Sequence, residues 1–141
     1  MVTIKNIFKE EEIDELLNIY HSSDMIPHHS NLNLKQVFVS RQCKENKFNK
    51  KILDAKTDQS YFVEYPVGAY CTPHKDRNVD GKIVTTITHL TDDYEGGESL
   101  VGDEVIKPKK GETVFYEPEK IHGVKPVKSG SRIVYVAWFI T

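Results

Sequence analysis

Two hydrophobic periods divide the chain. Between Glu10 and Tyr20 the apolar positions are Ile13, Leu16, Leu17 and Tyr20, the i, i+3, i+4, i+7 spacing of a helix with one buried face. Glu10, Glu11 and Glu12 crowd its first turn, where the positive helix end favours them, although no good N-cap residue precedes them. Val2-Thr3-Ile4, before the helix, is β-favouring. From Tyr61 onward the period becomes two and turn residues recur. Strands are expected at 61–65, 69–77, 82–91, 98–101, 104–107, 112–116, 121–127 and 131–140. Asp80-Gly81 and Gly102-Asp103 are hairpin signals, and Gly96-Gly97, Pro108 to Gly111 and Glu117-Pro118 separate the other strands. Short strands at this spacing predict a closed or sandwiched antiparallel domain.

Residues 21–60 carry the weakest pattern. His21, His28 and His29 sit among asparagines in a polar stretch, and Val37-Phe38-Val39 reads as one short strand. Residues 31–59 hold seven Lys/Arg against three Asp/Glu, a local net of +4. Such a run is either a solvated loop or short amphipathic helix over the core, or a substrate-facing surface.

Composition narrows the class. The 141 residues suit one domain. The formal net charge is −2, so no electrostatic argument favours a nucleic-acid or anionic-membrane partner. No apolar run approaches the ~20 residues that span a bilayer. Met1 to Glu10 shows no signal-peptide pattern, which implies a cytoplasmic protein. Two cysteines, Cys43 and Cys71, cannot build a disulfide framework.

The most informative tripeptide is His74-Lys75-Asp76. On a strand, i and i+2 share a face, so an imidazole and a carboxylate stand side by side with Lys75 turned away. His122 lies 46 positions after Asp76, at the start of another expected strand. Two histidines and one carboxylate can occupy one face of an octahedral ion and leave three positions open, as in non-haem Fe(II) oxygenases. Cys71 falls three residues before His74 and should face the other way, as a buried thiol rather than a fourth ligand.

Arg132, ten positions beyond His122, opens the apolar strand Ile133 to Ile140. If the strands on either side of Ser129-Gly130 form a hairpin, a two-residue turn puts Arg132 and His122 on opposite faces. A three-residue loop, Lys128-Ser129-Gly130, pairs Pro126 with Arg132 and puts both on one face, with Gly130 suited to the left-handed loop end. Arg132 is either a surface ion pair at a strand start or an inward charge that needs an anion.

With these residues in view, the chain resembles the Fe(II)/2-oxoglutarate-dependent dioxygenases, in their prolyl hydroxylase-like branch. The resemblance rests on Tyr65-Pro66-Val67-Gly68-Ala69-Tyr70 leading to His74-Lys75-Asp76, on Val84 to Leu90, on Tyr94-Glu95-Gly96-Gly97-Glu98, on Pro108 to Gly111, and on His122-Gly123-Val124 through Arg132 to Trp138. It implies a mainly β (α+β) fold, a double-stranded β-helix (jelly roll) with N-terminal supporting helices. One domain would fill residues 1–141, with 1–60 as support and rim and 61–141 as the β-helix core. It implies His74, Asp76 and His122 as iron ligands and Arg132 as the partner of the distal carboxylate of 2-oxoglutarate. Tyr65 matches a cosubstrate-bonding tyrosine, and Trp138 an aromatic near the metal; both read equally as core aromatics. His89 falls where relatives often carry a tyrosine that assists the arginine. It is either a packed strand histidine or a single hydrogen-bond donor whose charge state would add pH dependence near neutrality.

The implied activity is C–H hydroxylation coupled to decarboxylation of 2-oxoglutarate, with Fe(II), O2 and ascorbate as reductant. The expected substrate is a prolyl residue in a peptide or protein, with a free amino acid or small metabolite next. Nucleic-acid base demethylation is disfavoured, because only Arg132 follows the distal histidine. A non-catalytic jelly-roll binding module is disfavoured by the complete set His74, Asp76, His122 and Arg132.

Overall fold

The computed structural model of the protein describes residues 2–28, 33–41, 46–76 and 82–140. In chain order the elements are β1 (Thr3–Lys5), α1 (Glu10–His21), β2 (Ile26–Pro27), β3 (Leu34–Lys35), β4 (Phe38–Val39), α2 (Lys47–Ile52), β5 (Lys56–Tyr65), β6 (Tyr70–His74), β7 (Lys82–His89), β8 (Glu95–Gly96), β9 (Ser99–Val101), β10 (Glu104–Ile106), β11 (Thr113–Tyr116), β12 (His122–Val124), β13 (Val127–Ser129) and β14 (Arg132–Ile140). Among the described residues, a seven-stranded sheet runs β1-β11-β7-β14-β5-β4-β2, and a five-stranded sheet runs β10-β9-β12-β6-β3. All pairings are antiparallel. The two sheets enclose an apolar layer in which Val63, Tyr65, Val134 and Val136 of one meet Cys71 and Val124 of the other. This is the expected jelly roll.

Alternation along β14 decides what each layer holds. Ile133, Tyr135, Ala137 and Phe139 point to the helices, while Arg132, Val134, Val136 and Trp138 point between the sheets. Hydrogen bonds on both edges, to β5 and to β7, leave the strand no solvent side. Outside it, Ile13, Leu16 and Tyr20 of α1 and Phe48 and Ile52 of α2 complete the helix-side core with Phe8, Phe62 and Leu90. The start of α1 is capped from within: Lys9 donates its backbone N–H to Glu12 Oε1 at 2.8 Å.

Two lysines of the positive stretch serve as support. α2 lies against α1, where Lys47 pairs with Glu15 at 2.6 Å and Lys51 with Glu12. Its inward face carries Phe48, Asn49 and Ile52. Buried Asn49 donates to Ser60 Oγ at 3.0 Å and accepts from Tyr135 Oη at 2.6 Å, which ties α2 to β5 and β14. The charge of Lys47 and Lys51 is thus spent on the acidic helix. Cys43, His29 and Asp80-Gly81 lie outside the described residues.

The expected hairpin between the His122 and Arg132 strands does not form. The segment 121–127 divides into β12 and β13 around Lys125 and Pro126. β12 joins the five-stranded sheet between β9 and β6, β13 pairs with β8, and β14 sits in the other sheet. Gly130, at φ +75°, turns the chain against Asp93 and Tyr94, where a Cβ would lie 2.7 Å from the Asp93 carbonyl oxygen. His122 and Arg132 do share one interior, but they reach it from facing sheets and not as neighbours across a turn. The Gly102-Asp103 hairpin is as expected, with Val101 opposite Glu104.

Leu16 is 1% exposed at the centre of the helix–sheet layer. Leu16→Ala should cost about 2–5 kcal/mol, seen in urea as a lower midpoint with an unchanged slope.

Candidate active site

A cavity of about 660 Å³ opens between the sheets and holds every site residue expected from the sequence: His74, Asp76, His122, Arg132, Tyr65, His89 and Trp138. At one end His74, Asp76 and His122 each place a ligand atom within 4.8 Å of the others. His74 Nδ1 lies 2.7 Å from the Thr72 carbonyl, and His122 Nδ1 lies 2.8 Å from the Lys120 carbonyl. Each ring therefore donates Nδ1–H to the backbone, which leaves its Nε2 lone pair facing inward. These nitrogens stand 3.9 Å and 3.1 Å from Asp76 Oδ1. Thr85 donates to the other carboxylate oxygen, Oδ2, at 3.0 Å. Two nitrogen lone pairs and a carboxylate oxygen aimed at one point repel one another unless a cation lies between them. That donor set fits a divalent iron with open positions.

Asp76 reaches this point by a route the HxD spacing did not foresee. β6 ends at His74, so the period of two does not extend to Asp76. Its backbone N–H is held by the Pro118 carbonyl at 3.1 Å, and its side chain by Thr85. For the same reason Lys75, expected to turn away, is an exposed residue on the cavity wall.

A bulge in β6 corrects the reading of Cys71. His122 opposes His74 while Val124 opposes Cys71, so two steps on β12 match three on β6. The extra residue reverses the parity, and Cys71 Sγ comes to 3.6 Å from His74 Nδ1 instead of facing away. Cys71 is nonetheless a buried free thiol outside the metal-ligand group. Burial pushes it up to about 12. Gly123 makes this crossing possible: a Cβ there would lie 2.8 Å from the Cys71 carbonyl oxygen and 3.0 Å from the Pro73 nitrogen.

The other end is built around Arg132, 1% exposed. Its Nη2 donates to Ser99 Oγ at 3.0 Å, and its guanidinium lies 4.7 Å from the Tyr65 ring centre, its cross-strand neighbour. Its Nε has no partner, and no described carboxylate forms an ion pair with it. A buried, uncompensated guanidinium is costly and fits an anionic ligand. The surface-pair reading of Arg132 is excluded by its burial.

His89 is fully buried beside this end. Desolvation, with the Arg132 charge second, holds its ring well below the ordinary histidine range. It is neutral at pH 7, so the expected titration near neutrality does not occur. Burial likewise keeps the Tyr65, Tyr61 and Tyr116 hydroxyls protonated. Trp138 meets Tyr61 edge-on at 6.5 Å, and Tyr116 lies against His122 with ring centres 4.8 Å apart. Tyr61 was recoverable from the sequence, because it stands four residues before Tyr65 on the same strand face. Ser99, Thr85 and Tyr116 had no comparable signal. His28, Asn33, Leu34, Val39 and Ser40 contribute to the cavity wall from the region expected to form the rim.

The family model of the 2OG-Fe(II) oxygenase superfamily matches residues 60–140, more than half of the chain. The chain belongs to that superfamily. A PKHD-type hydroxylase of Saccharophagus degradans is 27% identical over 122 residues, covering 76% of this chain and 54% of the relative. Among solved structures, an oxidoreductase of the 2OG-Fe(II) oxygenase family from Burkholderia pseudomallei superposes with TM-score 0.79 at 12% identity, covering 99% of this chain and 85% of the other. A Pseudomonas putida prolyl-4-hydroxylase gives 0.76 at 16% identity, covering 99% and 91%. The chain spans 19% to 54% of the length of the curated relatives it matches. Among the described residues, no helix is long and apolar enough to cross a membrane.

Two measurements check this geometry. Gly123→Ala should force β12 off β6 and misplace His122, weakening Zn(II) affinity about tenfold or more in a calorimetric titration. Retained affinity would show that the close approach does not set the cluster. Below about 6.5 the unfolded chain protonates His89 while the folded chain does not, so this residue costs stability as pH falls. The melting-temperature difference between His89→Gln and the wild type should shift in the variant's favour from about pH 7.5 to 5.5. A pH-independent difference would count against a neutral ring.

Proposed function

We propose that the chain is a 2-oxoglutarate-dependent dioxygenase that hydroxylates a C–H bond, with a prolyl residue of a peptide or protein as its substrate. The observation that carries the reading is the polarity of one cavity, with three converging metal-ligand atoms at one end and an unpaired buried guanidinium at the other. When bound, Fe(II), 2-oxoglutarate and O2 supply the oxidation, in which C–H becomes C–OH while the cosubstrate leaves as succinate and CO2.

The chain's own residues bind, orient and exclude water. His74, Asp76 and His122 hold the iron, with both imidazoles locked by their backbone carbonyls and Asp76 by Thr85. That preorganisation keeps the ligand face fixed while other positions remain for cosubstrate and O2. Arg132 pairs with the distal carboxylate, Ser99 and the Tyr65 ring fix the guanidinium plane, and Val134 and Val136 keep the space between dry. Tyr61 and Trp138 form an aromatic wall suited to an apolar ring such as that of proline. The prolyl choice draws further support from relatives named PKHD-type hydroxylase and prolyl-4-hydroxylase.

Anaerobic addition of Fe(II) and 2-oxoglutarate should produce a weak visible charge-transfer band that Asp76→Ala and Arg132→Ala abolish. A folded chain with no band would overturn the dioxygenase reading in favour of a binding module. With O2 and ascorbate, a proline-rich peptide pool should release succinate and gain about 16 Da by mass spectrometry. Turnover of free proline or another small metabolite alone would move the substrate from peptide to metabolite.

A further inference from the structure

Of the Lys, Arg, Asp and Glu residues, three line the described wall of the cavity: Lys75, Asp76 and Arg132. Asp76 belongs to the metal-ligand group, and Arg132 is the buried cation of the opposite end. That leaves Lys75 without an assigned role. It follows one metal ligand and precedes another, yet it is exposed, so it marks the open side of the metal end. The aromatic wall lies at the same end. Trp138 stands opposite Thr85 on β7, and Thr85 donates to Asp76. Tyr61 meets Trp138 edge-on, and Gln59, opposite Trp138 on β5, adds an uncharged amide. No carboxylate among the described residues forms an ion pair with Lys75. Pro118 is tied to the backbone of Asp76, but Glu117 and Glu119 on either side of it do not line the cavity. The mouth thus presents a lysine ammonium beside apolar rings, and the carboxylate of the described wall belongs with the metal.

We propose that Lys75 is a specificity-determining residue, through which this chain prefers a prolyl peptide that carries an acidic side chain next to the target proline. The inference rests on the peptide reading of the substrate and deepens it. A proline ring on the Tyr61 and Trp138 wall brings its flanking residues to the rim, where a carboxylate meets the ammonium and a basic side chain is repelled. The same charges tell against a free amino acid. Its carboxylate would suit Lys75, but its own ammonium would find no free carboxylate on the described wall. An acylated proline nitrogen is uncharged and needs none. Because Lys75 is exposed, the pairing is screened and modest, and it acts on capture of the peptide more than on the chemical step.

The test titrates the Zn(II)-loaded chain, with 2-oxoglutarate present, against capped peptides that place Glu, Gln or Lys on either side of a single proline. The wild type should bind the better Glu peptide about threefold or more tightly than its Gln counterpart, and the Lys peptide more weakly than both, the range for an exposed ion pair. Raising the salt to about 0.5 M should shrink these differences. Lys75→Gln should remove the preference, and Lys75→Glu should reverse it in favour of the Lys peptide. With Fe(II), O2 and ascorbate, succinate release should show the same order in KM, with kcat differing by less than about twofold. Equal wild-type affinity for all three peptides overturns the inference and leaves the dioxygenase reading intact, whether or not the variants fold. A Glu preference that survives Lys75→Glu overturns it too, as does a loss of Zn(II) affinity in both variants, the mark of a residue that supports the metal ligands. A gain confined to a peptide that ends in proline with a free carboxylate overturns the side-chain form. Binding of none of the peptides overturns the peptide reading and the inference together.

Discussion

β14 has no side open to water. β5 and β7 take its two edges, the helices cover one face, and the second sheet covers the other. A strand placed this way must be apolar nearly throughout, and Ile133 to Ile140 meets that demand. Arg132 is the exception at its start, and it cannot reach solvent. The fold therefore commits to an anion at a fixed depth before any ligand is considered. Tyr65, Ser99 and His89 offer only neutral groups, none of which cancels the charge. Stability forgone at this end of the cavity is recovered when an acceptor binds.

How much of this could be read beforehand depended on whether local spacing or sheet assignment decided the outcome. The period of two from Tyr61 onward located the β-helix core, and the helical spacing of Ile13, Leu16 and Tyr20 located α1. The histidine and carboxylate of the HxD tripeptide do meet, yet the strand ends at His74 and tertiary bonds from Pro118 and Thr85 bring Asp76 in. The hairpin argument for Arg132 reached a shared interior by a wrong route, because nothing in a linear register shows that β12 and β14 enter different sheets. The β6 bulge was equally hidden, since one added residue reverses every parity inference across it, Cys71 included. The lysines of α2 were legible as charge but not as partners, which α1 supplies from more than thirty positions earlier.

The site divides between the sheets. His74 and His122 stand on β6 and β12 of the smaller sheet, whereas Arg132, Tyr65 and His89 stand on β14, β5 and β7 of the larger one. Hydrogen bonds already cross the gap, from Thr85 of the larger sheet to Asp76 and from Arg132 to Ser99 of the smaller. Both end on residues of the site, so what holds the sheets in register also aims the groups that bind ligands. A molecule gripped at its two ends by these poles would add a further tie of the same kind. Its binding energy would draw the sheets together at the spacing that the Thr85 and Ser99 bonds already favour, so little is spent on rearrangement.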